Sequence, residues 1–278
     1  MKVKRVTLML LLLLFMVSFA RVGHIEAEAS GRYTIYVNRK TNIVNVVNRS
    51  TGKVVRSMYC STGKGYSTIS GTYHTVSRLR WHALYHGVWG QYCTRIHGPY
   101  LFHSVWYYRT RNNQVSTREY NKLGSQASAG CVRLAVIDAK WIFDHCGVGT
   151  KVVIGERRKL QRPTRGKIKI STASDRGWDP TDPNPNNPYY PKIALKKSAS
   201  KTIAYGSDFD PLKLISVKSK TTSSKRLIKN VTVKGKVKTK KPGKYKLTYT
   251  VRDPRTLLKK SLTVTFKVAK KPVTEVAE

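Results

Sequence analysis

Between residues 33 and 60, apolar and polar side chains alternate with a period of two. Tyr33, Ile35 and Val37 share one face, a turn surrounds Arg39 to Asn42, and Ile43 to Val47 and Val54 to Cys60 continue the alternation around Thr51-Gly52. That pattern predicts an antiparallel meander. Further strand-like segments lie at 71–80, 100–108 and 151–154. Ile137, Trp141 and Ile142, with Gly147 behind them, predict one helix over 136–146, bracing whatever precedes it.

From residue 157 to 191 the pattern dissolves. Six of the eleven prolines fall there, and Asp179–Pro188 is almost free of apolar residues. Such a composition suits an extended, semi-rigid spacer. The alternative is a Pro-rich loop packed on the preceding domain, with Tyr189 and Tyr190 docking. Beyond Pro191 the period of two returns in Val231 and Val233, in Tyr245, Leu247, Tyr249 and Val251, and in Leu262, Val264, Phe266 and Val268. About eighty residues of short strands with a Pro-Gly turn predict a small β-sandwich. The fold class is therefore mainly β, with domains at 30–156 and 192–271, a linker at 157–191 and a tail at 272–278.

The N-terminus reads as a secretory signal over residues 1–29. Lys2, Lys4 and Arg5 precede an apolar run from Val6 to Ala20, and Ala27-Glu28-Ala29 offers a small-residue cleavage site. The apolar run is short for a membrane span, so an uncleaved anchor is the lesser alternative. Export changes the meaning of the charge. The chain carries a formal +39, and residues 192–271 alone hold 24 Lys and Arg against three Asp. Nucleic acid is the generic partner of so basic a protein, but an exported one seldom meets it. Anionic cell-wall polymers or an anionic lipid surface are the expected partners, and nucleic acid is not.

The candidate chemistry lies in Ser128-Ala129-Gly130-Cys131-Val132-Arg133. A thiol beside flexible backbone and a fixed cation is a candidate nucleophile, and His103, in Tyr100-Leu101-Phe102-His103-Ser104, is a candidate base. Gly130 allows close backbone approach, so the N–H groups of Gly130 and Cys131 are expected to cradle an oxyanion. Ser128 either meets substrate or ties down the loop. Arg133 either pairs with a substrate carboxylate or buttresses the loop through a carboxylate such as Asp138. A dipole from the following helix would favour the Cys131 thiolate only if its axis points at the sulfur. Cys60, Cys93 and Cys146 permit at most one disulfide if Cys131 is free. His82, His86, Cys93 and His97 match no zinc spacing, and no metal or cofactor is expected.

These residues resemble the signature of the L,D-transpeptidase (YkuD-like) catalytic domain, a His followed at a distance by a Ser-His-Gly-Cys-x-Arg run. The matching positions are His103, Ser128, Gly130, Cys131 and Arg133, and Ser104 beside the His is expected with Gly130, Ser128 and Arg133 in the oxyanion or substrate loop. Ser61-Thr62-Gly63 and Ser70-Gly71-Thr72-Tyr73 resemble the family's substrate-side strand and turn. The usual His before Gly-Cys is Ala129 here. The resemblance implies an L,D-transpeptidase-like β-sandwich acting on peptidoglycan stem peptides through a cysteinyl acyl-enzyme, in a secreted, wall-associated protein. An L,D-carboxypeptidase using water, or a non-catalytic wall-binding protein decayed at Ala129, are the alternatives. Residues 206–211 and 243–253 resemble bacterial immunoglobulin-like surface modules, except that Asp253 leads into Pro254 and a basic stretch rather than the usual turn.

Overall fold

The computed structural model describes residues 31–272. The expected signal segment lies outside them, as does nearly all of the expected tail. The chain divides into two compact units, the second beginning at Pro183.

The first unit is built on nine strands: β1 (Tyr33–Asn38), β2 (Ile43–Asn48), β3 (Val54–Ser61), β4 (Gly71–His74), β5 (Ser77–Ala83), β6 (Trp89–His97), β7 (Tyr100–Ser104), β8 (Val132–Leu134) and β9 (Lys151–Gly155). They form one continuous sheet in the order β4-β9-β1-β2-β3-β8-β7-β6-β5. The β1-β2-β3 meander is antiparallel as its alternation predicts, whereas β1 with β9 and β7 with β8 pair in parallel. Strand β3 joins the halves, pairing first with β2 and then, at Cys60 and Ser61, with β8. The sheet curls so that Tyr73 of β4 stacks on His97 of β6 with ring centroids 5.3 Å apart. Ile35, Val44, Met58, Phe102, Val132 and Leu134 fill the interior.

Two short helices belong to this unit, α1 (Thr117–Tyr120) and α2 (Val136–His145). The buried face of α2 is Val136, Ala139 and Ile142 rather than the predicted Ile137-Trp141-Ile142 stripe. Trp141 is half-buried, meeting Tyr33 edge-on at 5.4 Å and stacking on His145 at 4.4 Å. All four cysteines are free thiols.

The segment 157–182 is no spacer. Asn45 accepts from Gln161 N and donates to Gln161 O, and Asn121 does the same to Ile170. Each amide thereby satisfies a backbone donor and acceptor at once. Gly177 pairs with Val115 in both directions, and Asp175 accepts from Tyr108, Ser116 and the Arg118 N–H. Arg165 pairs with buried Asp138. The linker expectation fails here because remote side chains satisfy the strap's backbone, so it needs no hydrophobic period of its own.

The second unit has β10 (Lys192–Leu195), β11 (Thr202–Ile203), β12 (Ile215–Lys218), β13 (Val231–Lys234), β14 (Gly243–Arg252) and β15 (Lys259–Val268), with one turn of helix at Ser224–Leu227. A two-stranded β10-β12 sheet accompanies a four-stranded β11-β15-β14-β13 sheet. Leu247, Tyr249, Val251, Val264, Phe266 and Val268 form the core with Ile203, Ile215, Val217 and Leu227. This is the small β-sandwich that the period-two runs predict. The turn after β14 closes despite Pro254. Asp253 is fully buried beneath it and accepts from Ser219, Thr221 and Thr222 hydroxyls and from the Arg255 and Thr256 N–H groups.

Candidate active site

Parallel pairing of β7 with β8 sets Phe102 beside Val132 and His103 beside Arg133. Cys131 immediately precedes β8, so the same register carries it level with Leu101. On the other side β6 lies antiparallel, with Arg95 opposite Leu101. His103, Leu101, Arg95, Arg133 and Cys131 consequently face one cleft of about 480 Å³, which Ser128, Ala129 and Gly130 also line. Tyr100, Trp106 and the 82–88 hairpin supply its other walls.

The loop before β8 is held by the chain after β3. Ala127 and Ser128 donate to Thr62 O, Lys64 N donates to Ser128 O, and Thr68 Oγ1 donates to Gly130 O at 2.7 Å. These bonds give the Ser61-Thr62-Gly63 stretch its purpose. Ser128 ties the loop down: its Oγ donates to Cys131 O at 2.6 Å and accepts the Gly130 N–H at 3.1 Å. Half of the expected oxyanion cradle is thereby corrected, because the Gly130 N–H is already committed to Ser128. A Cβ at position 130 would lie 3.0 Å from the Tyr100 ring, which is why glycine fits there.

Burial pushes the Cys131 thiol above its ordinary pKa, against the lowering influence of the Leu101 backbone, Arg133 and Arg95. His103 is also buried, and desolvation, helped by Arg133 and His82 and opposed by the Ser104 backbone, pushes it down to about 3. Both groups are therefore neutral near pH 7, a thiol and an imidazole rather than an ion pair. His103 Nδ1 is buried without a hydrogen-bond partner.

Three other expectations change. Arg133 buttresses the loop, but through Glu119 at 2.5 Å and Ala127 O at 3.1 Å, not through Asp138. Ser104 is fully buried, accepting Gln91 N–H and donating to Val105 O, so its side chain belongs to the strand interior and not to a substrate loop. The α2 N-terminus does not serve Cys131, because β8 intervenes and the strap occupies it: Val136 N–H donates to Asp179 and Ile137 N–H to Thr181.

Sequence reasoning did not single out Arg95 or Gly90, and weighed Cys93 only for a disulfide or a metal. Arg95 donates to Gly98 O at 2.5 Å and meets His82 Nε2 at 3.3 Å. An ideal Cβ at Gly90 would lie 2.9 Å from Cys93 Sγ and 3.1 Å from His103 Nδ1, so this buried thiol and the imidazole both press against Gly90. No local motif marks these positions, since only the strand register assembles them.

Residues 32–154 match the model of the L,D-transpeptidase catalytic domain, and residues 193–265 that of the bacterial surface protein Ig-like domain. A putative L,D-transpeptidase, YciB of Bacillus subtilis (strain 168), is 48% identical over 58 residues, 21% of this chain and 29% of that protein. Solved structures with similar regions include a fused Zn-dependent amidase/peptidase/peptidoglycan-binding protein from Clostridium acetobutylicum, at 27% identity and TM-score 0.35. That match covers 44% of this chain and 51% of the other. L,D-transpeptidase 3 of Mycobacterium tuberculosis, in complex with a faropenem-derived adduct, matches at 18% identity and TM-score 0.35 over 45% of this chain and 60% of its own. The chain thus spans less than a third of the curated relative and little more than half of these structures. It is similar to L,D-transpeptidase catalytic domains over residues 32–154 and to bacterial surface Ig-like domains over residues 193–265.

Proposed function

We propose that the first domain is a cysteine-dependent acyltransferase acting on peptidoglycan stem peptides outside the cytoplasm, cross-linking or remodelling them by L,D-transpeptidation. The carrying observation is that Cys131 and His103 open onto one cleft in a segment that matches this catalytic domain. Because both groups rest neutral, the thiolate forms as the substrate arrives: the Cys131 proton passes to His103 while Sγ attacks the stem carbonyl. The Cys131 N–H meets the developing oxyanion. Collapse expels the terminal residue as an amine, which takes the proton from His103 and leaves a thioester. A second stem's amine then attacks the thioester, giving a new peptide bond and regenerating the thiol.

Arg95 completes the donor site in this reading. Among the described lining residues no carboxylate faces the cleft, and Arg133 is already engaged by Glu119, which it shares with Lys122, and by Ala127 O. Arg95 is the cation left to receive the carboxylate of the departing terminal residue, which restricts donors to stems ending one residue past the scissile bond.

The test is mass spectrometry of the intact protein and of products after incubation with purified disaccharide-tetrapeptides. The expected result is a thioester adduct on Cys131 and a cross-linked dimer lacking one terminal residue. Release of tripeptide without dimer reads as a carboxypeptidase. No adduct and no product under conditions where the protein still binds sacculi leaves a wall-binding protein.

A further inference from the structure

The four-stranded sheet of the second unit has one face on its core and the other in solvent. Leu247, Tyr249, Val251, Val264, Phe266 and Val268 point inward, so the alternate positions of β14 and β15 point outward. The register sets Lys244 directly opposite Lys267 at one end and Arg252 directly opposite Lys259 at the other. Lys246 lies between them on β14, and Lys234 of β13 lies opposite Thr248. All six cations are exposed.

Like charges directly opposed across an antiparallel pair destabilise it, yet this hairpin has two such pairs. None of the six side chains has an ion pair or hydrogen bond among the described residues. Asp210 caps a turn at Leu212, and Asp253 is buried at the hairpin's end. Between the charged ends runs a floor of hydroxyls, with Thr248 3.1 Å from Thr263 and Thr250 2.8 Å from Ser261. Repulsion of this kind, left unrelieved on one face, is offset when an anion lies on it.

We propose that this face binds a linear phosphodiester polyanion laid along the β14–β15 hairpin. The eight steps from Lys244 to Arg252 span ~27 Å at the usual strand rise, enough for several repeats of such a chain. Five Lys to one Arg presents compact point charges that meet phosphate oxygens from any direction, which suits a flexible phosphodiester backbone. The outward positions carry no aromatic ring on which a nucleobase could stack and no apolar side chain to enter a lipid surface. The site is independent of the catalytic reading.

The experiment measures binding of poly(glycerol phosphate) to the full chain carrying Cys131→Ala, so that failure of the acyl-transfer reading leaves the result intact. Variants are Lys244→Gln with Lys267→Gln, Arg252→Gln with Lys259→Gln, and a charge-matched control, Lys213→Gln with Lys229→Gln. Each facing pair should weaken binding at least five-fold at physiological ionic strength and reduce the salt slope of log K by ~1.4, while the control stays within two-fold. Relief of repulsion should leave the thermal midpoint of both facing variants equal to or above that of the parent. Equal losses in control and facing variants, or tighter binding of charge-matched poly-glutamate, single-stranded DNA or anionic vesicles than of poly(glycerol phosphate), overturns the proposal.

Discussion

Arg133 Nη1 lies 2.5 Å from Glu119 Oε2, so the cation two residues past Cys131 is paired before any substrate arrives. In the proposed function this leaves Arg95 to meet an anionic donor group. Arg95→Gln should therefore raise KM for tetrapeptide donors about ten-fold or more with a smaller change in kcat, as expected for a lost charge-assisted bond of ~1.5–3 kcal/mol. A donor amidated at its terminal carboxylate should be processed equally poorly by both proteins. Equal KM values for the two donors on the parent enzyme would remove this role.

In the proposed mechanism, proton transfer between two neutral groups sets the pH profile. Burial holds the Cys131 thiol above its ordinary value and His103 down at about 3, so neither titrates between pH 5 and 8. Acylation by a strained lactam should be nearly flat across that range in the parent. His103→Ala should slow it by 10²-fold or more near pH 7, with recovery only above pH 9 as the thiol ionises unaided. Stopped-flow acylation from pH 5 to 10 with peptide mapping checks this. An adduct on Cys60, Cys93 or Cys146 would sink the assignment of the nucleophile.

Gly90 gives His103 its room. In Gly90→Ala the new Cβ meets Cys93 Sγ at 2.9 Å and His103 Nδ1 at 3.1 Å, and the imidazole must shift. Acylation should fall roughly ten-fold or more, since misplacement on the ångström scale is costly in catalysis. Combining it with Cys93→Ala removes one obstruction and should restore part of the rate. A double-mutant cycle with additive effects would show that the two positions do not communicate.

The strap makes the first unit's stability depend on pH through Asp179. Burial, opposed by bonds from Thr181 and the Val136 N–H, holds its carboxyl at about 6, above the unfolded value of ~3.9. A raised carboxyl pKa means that the folded state binds more protons over that window. Its contribution is unfavourable above pH 6 and is relieved as pH falls towards 4, by at most ~3 kcal/mol. Thermal unfolding from pH 4 to 7 should show this slope in the parent and not in Asp179→Asn. Asp179→Ala should cost ~1–3 kcal/mol at all pH values by orphaning the α2 N–H group. A slope that survives in the Asn variant assigns the titration elsewhere.

Asp253 acts in the opposite sense. Burial raises its pKa, but the Ser219 hydroxyl, the Thr256 and Arg255 N–H groups and Thr221 together bring it below the ordinary carboxylate value. Its stabilisation is fully present above ~pH 4 and is lost as pH falls through the depressed folded-state value. Asp253→Ala should destabilise the second unit by ~2–4 kcal/mol, since three hydroxyls and two N–H groups lose their acceptor. Asp253→Asn should recover part of that. Chemical denaturation followed by hydrogen exchange of β14 and β15 reads the effect.

Local sequence determined what depends on local periodicity. The alternation of Tyr33, Ile35 and Val37, and of Tyr245, Leu247, Tyr249 and Val251, specified strands with one buried face, because a period of two leaves no other way to bury them. The Gly130-Cys131 step and His103 stood out by residue type and by their resemblance to the L,D-transpeptidase signature, since a lone Cys and a distant His are a weak signal. Tertiary structure decided everything that depends on register between distant strands. It set Arg95 opposite Leu101, Cys93 and His103 against Gly90, and Glu119 against Arg133. It also turned the Pro-rich stretch from an expected spacer into a strap whose Asp179 takes the helix N-terminus away from Cys131. Hydrogen bonds between residues 43 to 116 positions apart leave no periodic trace in the chain, because each is satisfied by one side chain whose partner only the fold brings within reach.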